Sequence, residues 1–393
     1  MIGGLLLTLA ACALLIGLPL AGIVLTGGDA ASYLHFPPLP RKVTQPPFSW
    51  PVFLLLSSFV LLVVVPVARR VLVSCRRAAV RPRAGHLPGW GWAGIILTGL
   101  SWWLAWTRQP WFTLLQAYTF FPLWLGYIMT INGLAMFSHG RCLLADRPRT
   151  LLALFLASAP FWWFFEYLNR FVANWHYHGI EGFSSLGYVL HATLCFSTVL
   201  PAVASTADFL TGFSPCWQAL AGRRPIGFSR RAGVAILAVA ALGLFLVGIL
   251  PTYSFPLVWL APGAVIVGLQ CATGRRTALH CLKTGDYRPV VIWPAAALLC
   301  GFFWEMWNMG SLAHWEYAIP FVDRFHLFYM PILGYAGYLP FGIECLVAVD
   351  LVDRWLSCPG TTNNVRRQGP RSGCGRGRHR ARRSAWAAGW PPG

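Results

Sequence analysis

Apolar residues fill most of the chain in long runs, and polar or charged residues gather in the short intervals between them. A helix that crosses a bilayer needs about 20 predominantly apolar residues. Ten stretches meet that requirement: 3–27, 48–68, 87–107, 111–138, 150–169, 183–205, 232–251, 254–273, 289–310 and 328–352. The pattern predicts an all-α integral membrane protein with about ten transmembrane helices.

Composition agrees. The 393 residues are 56% hydrophobic, 15% aromatic and 11% charged, with a mean hydropathy of +0.57, whereas soluble domains carry roughly a quarter charged residues. A soluble globular protein is excluded. The net charge of +19 does not indicate a nucleic-acid partner, because its distribution follows the spans. Twenty-six of the 31 Lys and Arg fall in the even-numbered connections and the tail, among them Arg69, Arg70, Arg76, Arg77, Arg81 and Arg83 after the second span. The odd-numbered connections hold only Arg41, Lys42, Arg108, Arg170 and Arg324. Positively charged loops remain cytoplasmic, so both termini are expected inside, in a membrane such as the bacterial inner membrane.

The first apolar run has no positive charge before it and is too long for a signal-peptide core, so it is expected to persist as a span. Eleven cysteines include no Cys-x-x-Cys pair and none in a loop assigned outside the cytoplasm; no structural disulfide is expected. The tail from Asn363 to Gly393 is rich in Arg, Gly and Pro without periodicity, which predicts disorder.

Spans 3 to 6 and 7 to 10 resemble each other. Phe164-Phe165-Glu166-Tyr167-Leu168-Asn169, followed by Trp175-His176-Tyr177, corresponds to Phe303-Trp304-Glu305-Met306-Trp307-Asn308, followed by Trp315-Glu316-Tyr317. Leu186-Gly187-Tyr188 matches Leu333-Gly334-Tyr335, and Phe121-Pro122-Leu123 matches Phe255-Pro256-Leu257. Ordered matches of this kind indicate a duplication. An even number of spans per unit gives both copies one orientation and a pseudo-twofold axis along the membrane normal. The expected organisation is an N-terminal transmembrane helical hairpin and basic loop (1–86), two parallel four-helix repeats (87–231 and 232–353) and a basic tail (354–393).

Glu166, Glu305 and Glu344 fall inside apolar segments, where an acidic group costs about 2.5–3.5 kcal/mol. A spacing of three places Glu166 with Asn169, and Glu305 with Asn308, on one helix face, where each amide can bond the carboxyl. A carboxyl held away from water favours its neutral form, and a neutral acid in an apolar pocket is a proton donor. Three readings follow for these pairs: interhelical bonds that join the two halves, a catalytic or substrate-binding site, and a proton or ion pathway. Glu166 and Glu305 lie about 16 residues from the cytoplasmic ends of their spans, roughly 24 Å, and so near the outer leaflet. Leu333 to Gly342, with Gly334, Gly337 and Pro340, predicts a broken or re-entrant helix before Glu344; Ser197 occupies the corresponding place in the first repeat.

Aromatic side chains flank these acids. Trp175, Tyr177, Trp304, Trp307, Trp315, Tyr317 and Tyr338 form either an interfacial belt or the wall of a binding pocket whose π faces stabilise a cation. His176 and His178 are metal-ligand types, with His314, but two His separated by one residue on a loop make a weak site, and Glu316 aligns with His176. No metal and no cofactor are expected. The chain contains no His-Glu-x-x-His, no phosphate loop and no Asp-rich diphosphate motif, which argues against zinc proteases, nucleotide-driven pumps and that class of prenyltransferase.

The second repeat, with Glu305-x-x-Asn308, Trp315-Glu316-Tyr317, Gly337-Tyr338-Leu339-Pro340 and Glu344, resembles the small membrane-embedded lycopene cyclases. The resemblance implies cofactor-independent, acid-initiated cyclisation of a carotenoid end group. Glu305 and Glu344 would then be donors, Asn308 an orienting group and the aromatics the carbocation's surroundings. The chain departs from that family in having Pro340 four residues before a single Glu344 and four spans per repeat. The leading expectation is an isoprenoid lyase or isomerase whose substrate is an apolar small molecule and whose partner is membrane lipid. The catalytic candidates are Glu305, Glu344 and Glu166. The alternatives are a secondary transporter or proton-coupled permease, and a structural protein of a homo-oligomer or larger membrane complex.

Overall fold

A computed structural model describes residues 2–38, 42–77 and 85–357. The tail expected to be disordered, and Arg41, Arg81 and Arg83, lie outside the described residues. The helices in chain order are α1 (Ile2–Leu25), α2 (Trp50–Arg77), α3 (Gly89–Trp106), α4 (Phe120–His139), the single turn α5 (Leu143–Asp146), α6 (Pro148–Val172), α7 (Ser185–Phe196) and α8 (Val199–Thr211). The single turn α9 (Ser214–Trp217) follows, then α10 (Arg230–Ile249), the single turn α11 (Pro251–Ser254), α12 (Ala261–Ala272), α13 (Pro289–Gly310) and α14 (Tyr338–Ser357). Among the described residues eight helices are long and apolar enough to cross a membrane, with α7 and α8 forming one of them, and nine if one bent pair is a span. The chain is a multi-pass helical membrane protein.

Two details of the expected spans change. Stretch 87–107 forms α3, but its five Trp and four Gly dilute the aliphatic content, and it is not among the eight. The sharp break also lies elsewhere. Residues 333–342 enter α14 smoothly through a 3-10 turn over Ile332–Gly337, while Pro251–Trp259 meets α12 at 58°. Pro256 and Pro262 flank that bend, and each lacks the N–H that would continue a helical ladder.

Helices α6, α8, α13 and α14 pack together at the centre. α6 touches α8 and α14, while α13 touches α14 and α8; α4 lies on α8 as α12 lies on α14; α3 reaches α13 as α10 reaches α6. Each of these contacts thus has a counterpart among the others. The outer pairs α3/α4 and α10/α12 approach closely through glycine: a Cβ on Gly94 would lie 2.7 Å from the Thr130 nitrogen, and one on Gly268 2.7 Å from the Leu237 nitrogen. Such approaches supply van der Waals packing that lipid cannot replace. α1 packs on α10 and α12, whereas α2 docks on α9 and on the 3-10 turn before α14. Contrary to the sequence-based expectation, Cys75 of α2 is disulfide-bonded to Cys216 of α9, 141 residues away.

Two short antiparallel ribbons complete the fold: β1 (Trp175–His178) with β2 (His314–Tyr317), and β3 (His326–Leu327) with β4 (Met330–Pro331). The first joins the ends of α6 and α13. Nearby, Arg170 donates to the carbonyls of Ser32, His35 and Pro37, and Arg324 lies over the rings of Phe48, Trp50 and Phe325.

Candidate functional site

The duplicated motif folds the same way twice. At the end of α6, Asn169 Nδ2 donates to the Trp175 carbonyl at 2.7 Å, and its Oδ1 accepts from the backbone N–H groups of Asn174 (2.8 Å) and Trp175 (3.3 Å). At the end of α13, Asn308 Nδ2 donates to the Trp315 carbonyl at 2.6 Å and Oδ1 accepts from the Trp315 N–H at 2.8 Å. The amides therefore bond the backbone and not the carboxyls, correcting the expected Glu–Asn pairing. Backbone groups beyond a helix end lack intrahelical partners, and a primary amide offers both a donor and an acceptor to them. The interval between Asn and Trp, six residues in the first copy and seven in the second, is the reach of this clamp.

The clamps hand the chain into the β1/β2 ribbon, where Trp175 pairs with Tyr317, His176 with Glu316, Tyr177 with Trp315 and His178 with His314. The register is symmetric about the His176–Glu316 pair. Side chains alternate across a strand, so Trp175, Tyr177, Trp315 and Tyr317 share one face and His176, His178, His314 and Glu316 the other.

The aromatic face meets the carboxyls. Glu166, 1% exposed, accepts at one oxygen from Trp162 (3.0 Å), Trp175 (3.1 Å) and Tyr177 (2.5 Å). Glu305, 0% exposed, accepts from Tyr317 (2.7 Å) and Tyr338 (2.5 Å), and the Trp315 indole donates to the Tyr317 hydroxyl at 2.8 Å. The second oxygen of each carboxyl is buried without a hydrogen-bond partner. Every partner of each Glu lies in its own half, so the carboxyls do not tie the halves together; the ribbon does. Burial first, and the neighbouring carboxyl second, raise the Tyr177 and Tyr317 hydroxyls well above the usual phenol range, keeping them as donors.

The halves differ at one position. Gly301 corresponds to Trp162, and a Cβ there would lie 2.4 Å from the Tyr338 ring. The missing side chain admits Tyr338 to Glu305, where Trp162 serves Glu166.

A pocket with a cavity volume of about 150 Å³ opens under the ribbon between the central helices. Trp175, Tyr177, Trp304, Trp315, Tyr317 and Tyr338 line it. Other expected residues lie elsewhere. Trp307 packs against Trp124 and Phe303 at 5.2 and 5.1 Å and is not among the lining residues. Asn169 and Asn308 stand behind the ribbon. Glu344 joins neither carboxyl cluster: its Oε1 accepts from the Gly263 N–H at 2.8 Å, capping the first turn of α12 after the bend. The α12 backbone is available there because Pro256 and Pro262 have broken the preceding helix.

The structure adds lining residues that sequence reasoning did not select. Trp259 stacks on Phe165 (5.1 Å) and Trp175 (5.7 Å). Tyr188 lines the pocket with its hydroxyl buried and without a partner; its match to Tyr335 was the available signal. His191 lies in stacked contact with Phe183.

On the opposite ribbon face, His176, His178 and Glu316 bring their ligand-type atoms within 4.8 Å of one another. The His-x-His segment is a strand and not a loop, so both rings project to one side. Burial first, then the charge of His178, lowers His176 from the usual imidazole value, favouring the neutral form that ligates metals. None of the known protein families, curated proteins or solved structures compared with the chain matches it.

Proposed function

We propose that the chain binds the apolar end of a membrane isoprenoid in the pocket beneath the β1/β2 ribbon and catalyses its acid-initiated cyclisation or isomerisation without a cofactor. In this reading the protein is built from two parallel four-span repeats about a pseudo-twofold axis, and the pocket lies between them. The observation that carries it is a pair of phenol–carboxyl units, Tyr177–Glu166 and Tyr338–Glu305, whose phenols line an aromatic pocket while the buried carboxyls stand behind them. The phenol gives its proton to a carbon–carbon double bond and takes the neutral carboxyl's proton in its place, the cation is held against π faces, and loss of a proton from a neighbouring carbon restores the pair. Cations over aromatic rings gain about 2 kcal/mol or more when desolvated. Glu305 is the leading donor and Glu166 the second. The resemblance of the second repeat to the lycopene cyclases supports a linear carotenoid as substrate, whereas the position of Glu344 on Gly263 favours a structural role for that residue.

Incubation of the protein, in membranes, with a linear carotenoid should give a cyclised or isomerised product with the substrate's mass, and Glu305→Gln should abolish it at unchanged expression. Full activity in Glu305→Gln would remove the assignment. The bent pair Pro251–Trp259 and α12 favours a second reading, a secondary transporter, since broken helices form transporter sites. Solute uptake into proteoliposomes driven by a pH gradient, with no lipid product, would select it.

A further inference from the structure

The second ribbon face, of which His314 also borders the pocket, carries its own chemistry. His176 stands opposite Glu316 and His178 opposite His314; the ligand atoms of His176, His178 and Glu316 form a compact group, and His314 stands at its edge. Glu316 Oε2 lies 3.3 Å from His178 Nε2 and 3.7 Å from His176 Nε2, and Oε1 lies 3.8 Å from His314 Nε2. Ligand atoms about 2.1 Å from a tetrahedral ion lie about 3.4 Å apart, close to the first two separations.

The nitrogens are free to ligate. His176 is 6% exposed, and the Nε2 atoms of His176 and His178 are buried without hydrogen-bond partners. Buried polar atoms are ordinarily satisfied, and two such nitrogens converging on one carboxylate make a ligand set. His314 is oriented from behind: its Nδ1 lies 3.0 Å from the Leu312 carbonyl, which can only accept, so Nδ1 carries the hydrogen and neutral His314 presents a lone pair on Nε2. A second hydrogen bond of this kind commonly fixes the tautomer of a metal-bound His. Ring contacts of His178 with His176 (4.9 Å) and His314 (5.3 Å) hold the group together.

We infer that His176, His178 and Glu316, with His314 as fourth ligand, form a binding site for a divalent transition-metal ion of the zinc type. Imidazole with carboxylate suits Zn, Cu, Fe or Ni in preference to Mg or Ca. The ligands come from the strand after α6 and the strand after α13, so the ion clasps the two halves where the same ribbon presents its aromatic side chains to the pocket. The site does not depend on the proposed lipid chemistry.

The test uses the full-length protein, purified in mild detergent with any affinity tag removed, stripped with a chelator and titrated with Zn²⁺ alone against a chromophoric competitor. One saturable Zn²⁺ per chain is expected. The double variant His176→Ala/His178→Ala and, separately, Glu316→Gln should each weaken it by at least 100-fold, while Glu181→Gln, on the neighbouring turn, should leave it unchanged. Co²⁺ in place of Zn²⁺ should give the intense visible absorption of a tetrahedral site. Absence of saturable binding by the folded wild-type protein overturns the proposal whatever the variants do, as does unaltered affinity in the double variant.

Discussion

Replacing Asn169 with Ala isolates the clamp on which the ribbon depends. The change removes hydrogen bonds of 2.7, 2.8 and 3.3 Å from a side chain that is 2% exposed. It leaves the Trp175 carbonyl and the N–H groups of Asn174 and Trp175 without their side-chain partner. A buried polar group without a partner costs about 1–3 kcal/mol. The 3.3 Å bond counts for little, so the loss should be about 2–5 kcal/mol. Asn308→Ala removes two bonds from an equally buried side chain to the half-buried Trp315 and should cost about 1–3 kcal/mol. Both can be measured by unfolding in mixed detergent and SDS, followed through tryptophan fluorescence. A loss below about 1 kcal/mol for Asn169→Ala, or a clearly larger loss for Asn308→Ala, would refute the clamp.

Gly301→Ala should drive the Tyr338 ring off Glu305, since its Cβ would lie 2.4 Å from that ring; overpacking of this kind costs about 1–3 kcal/mol. An unfolding free energy equal to wild type would contradict it. Gly263→Ala, with a Cβ 2.8 Å from Glu344 Oε2, should displace the carboxyl from the α12 N-terminus at a cost of about 1–3 kcal/mol; Glu344→Gln, which keeps an acceptor oxygen, should cost less. For orientation, Gly182→Cys and Gly227→Cys place thiols where a Cβ meets nothing within 4 Å. On intact cells an impermeant maleimide should label the first and not the second; the reverse pattern would invert the topology.

What the sequence revealed, and what it hid, separates by range. Apolar runs against the thickness of a bilayer marked the spans, because membrane burial acts on each helix independently of its neighbours. The same reasoning overvalued 87–107, where Trp and Gly replace aliphatic residues, and placed a break at the glycines before Glu344 instead of at Pro256 and Pro262. The repeated spacing exposed Glu166, Glu305 and the aromatic strands, since two occurrences of a pattern carry more information than one. It left the role of Asn169 and Asn308 open, because a spacing of three along a helix is compatible with bonding either the carboxyl or the backbone beyond it. The imidazole cluster was hidden for a different reason. His176 and Glu316 are 140 positions apart in sequence, and their mismatch in the alignment argued against a site that strand pairing creates. The Cys75–Cys216 bond was hidden in the same way, by a separation of 141 residues.

The two carboxyl clusters differ in their donors. Tyr338 reaches Glu305 only because Gly301 has no side chain, while Trp162 fills that volume in the first half and leaves Glu166 with indole donors. The second half therefore presents two phenols to its acid and the first only one, which is why Glu305 is placed ahead of Glu166 as donor.

The central claim is that the pocket holds an apolar isoprenoid against the phenols that Glu305 backs. Purification in mild detergent, followed by absorption from the near ultraviolet through the visible and mass spectrometry of the bound lipids, tests it most directly. A stoichiometric polyene or other isoprenoid in the wild-type protein, lost in Glu305→Gln, is the predicted result. Bulk phospholipid alone, the same in both proteins, would contradict it.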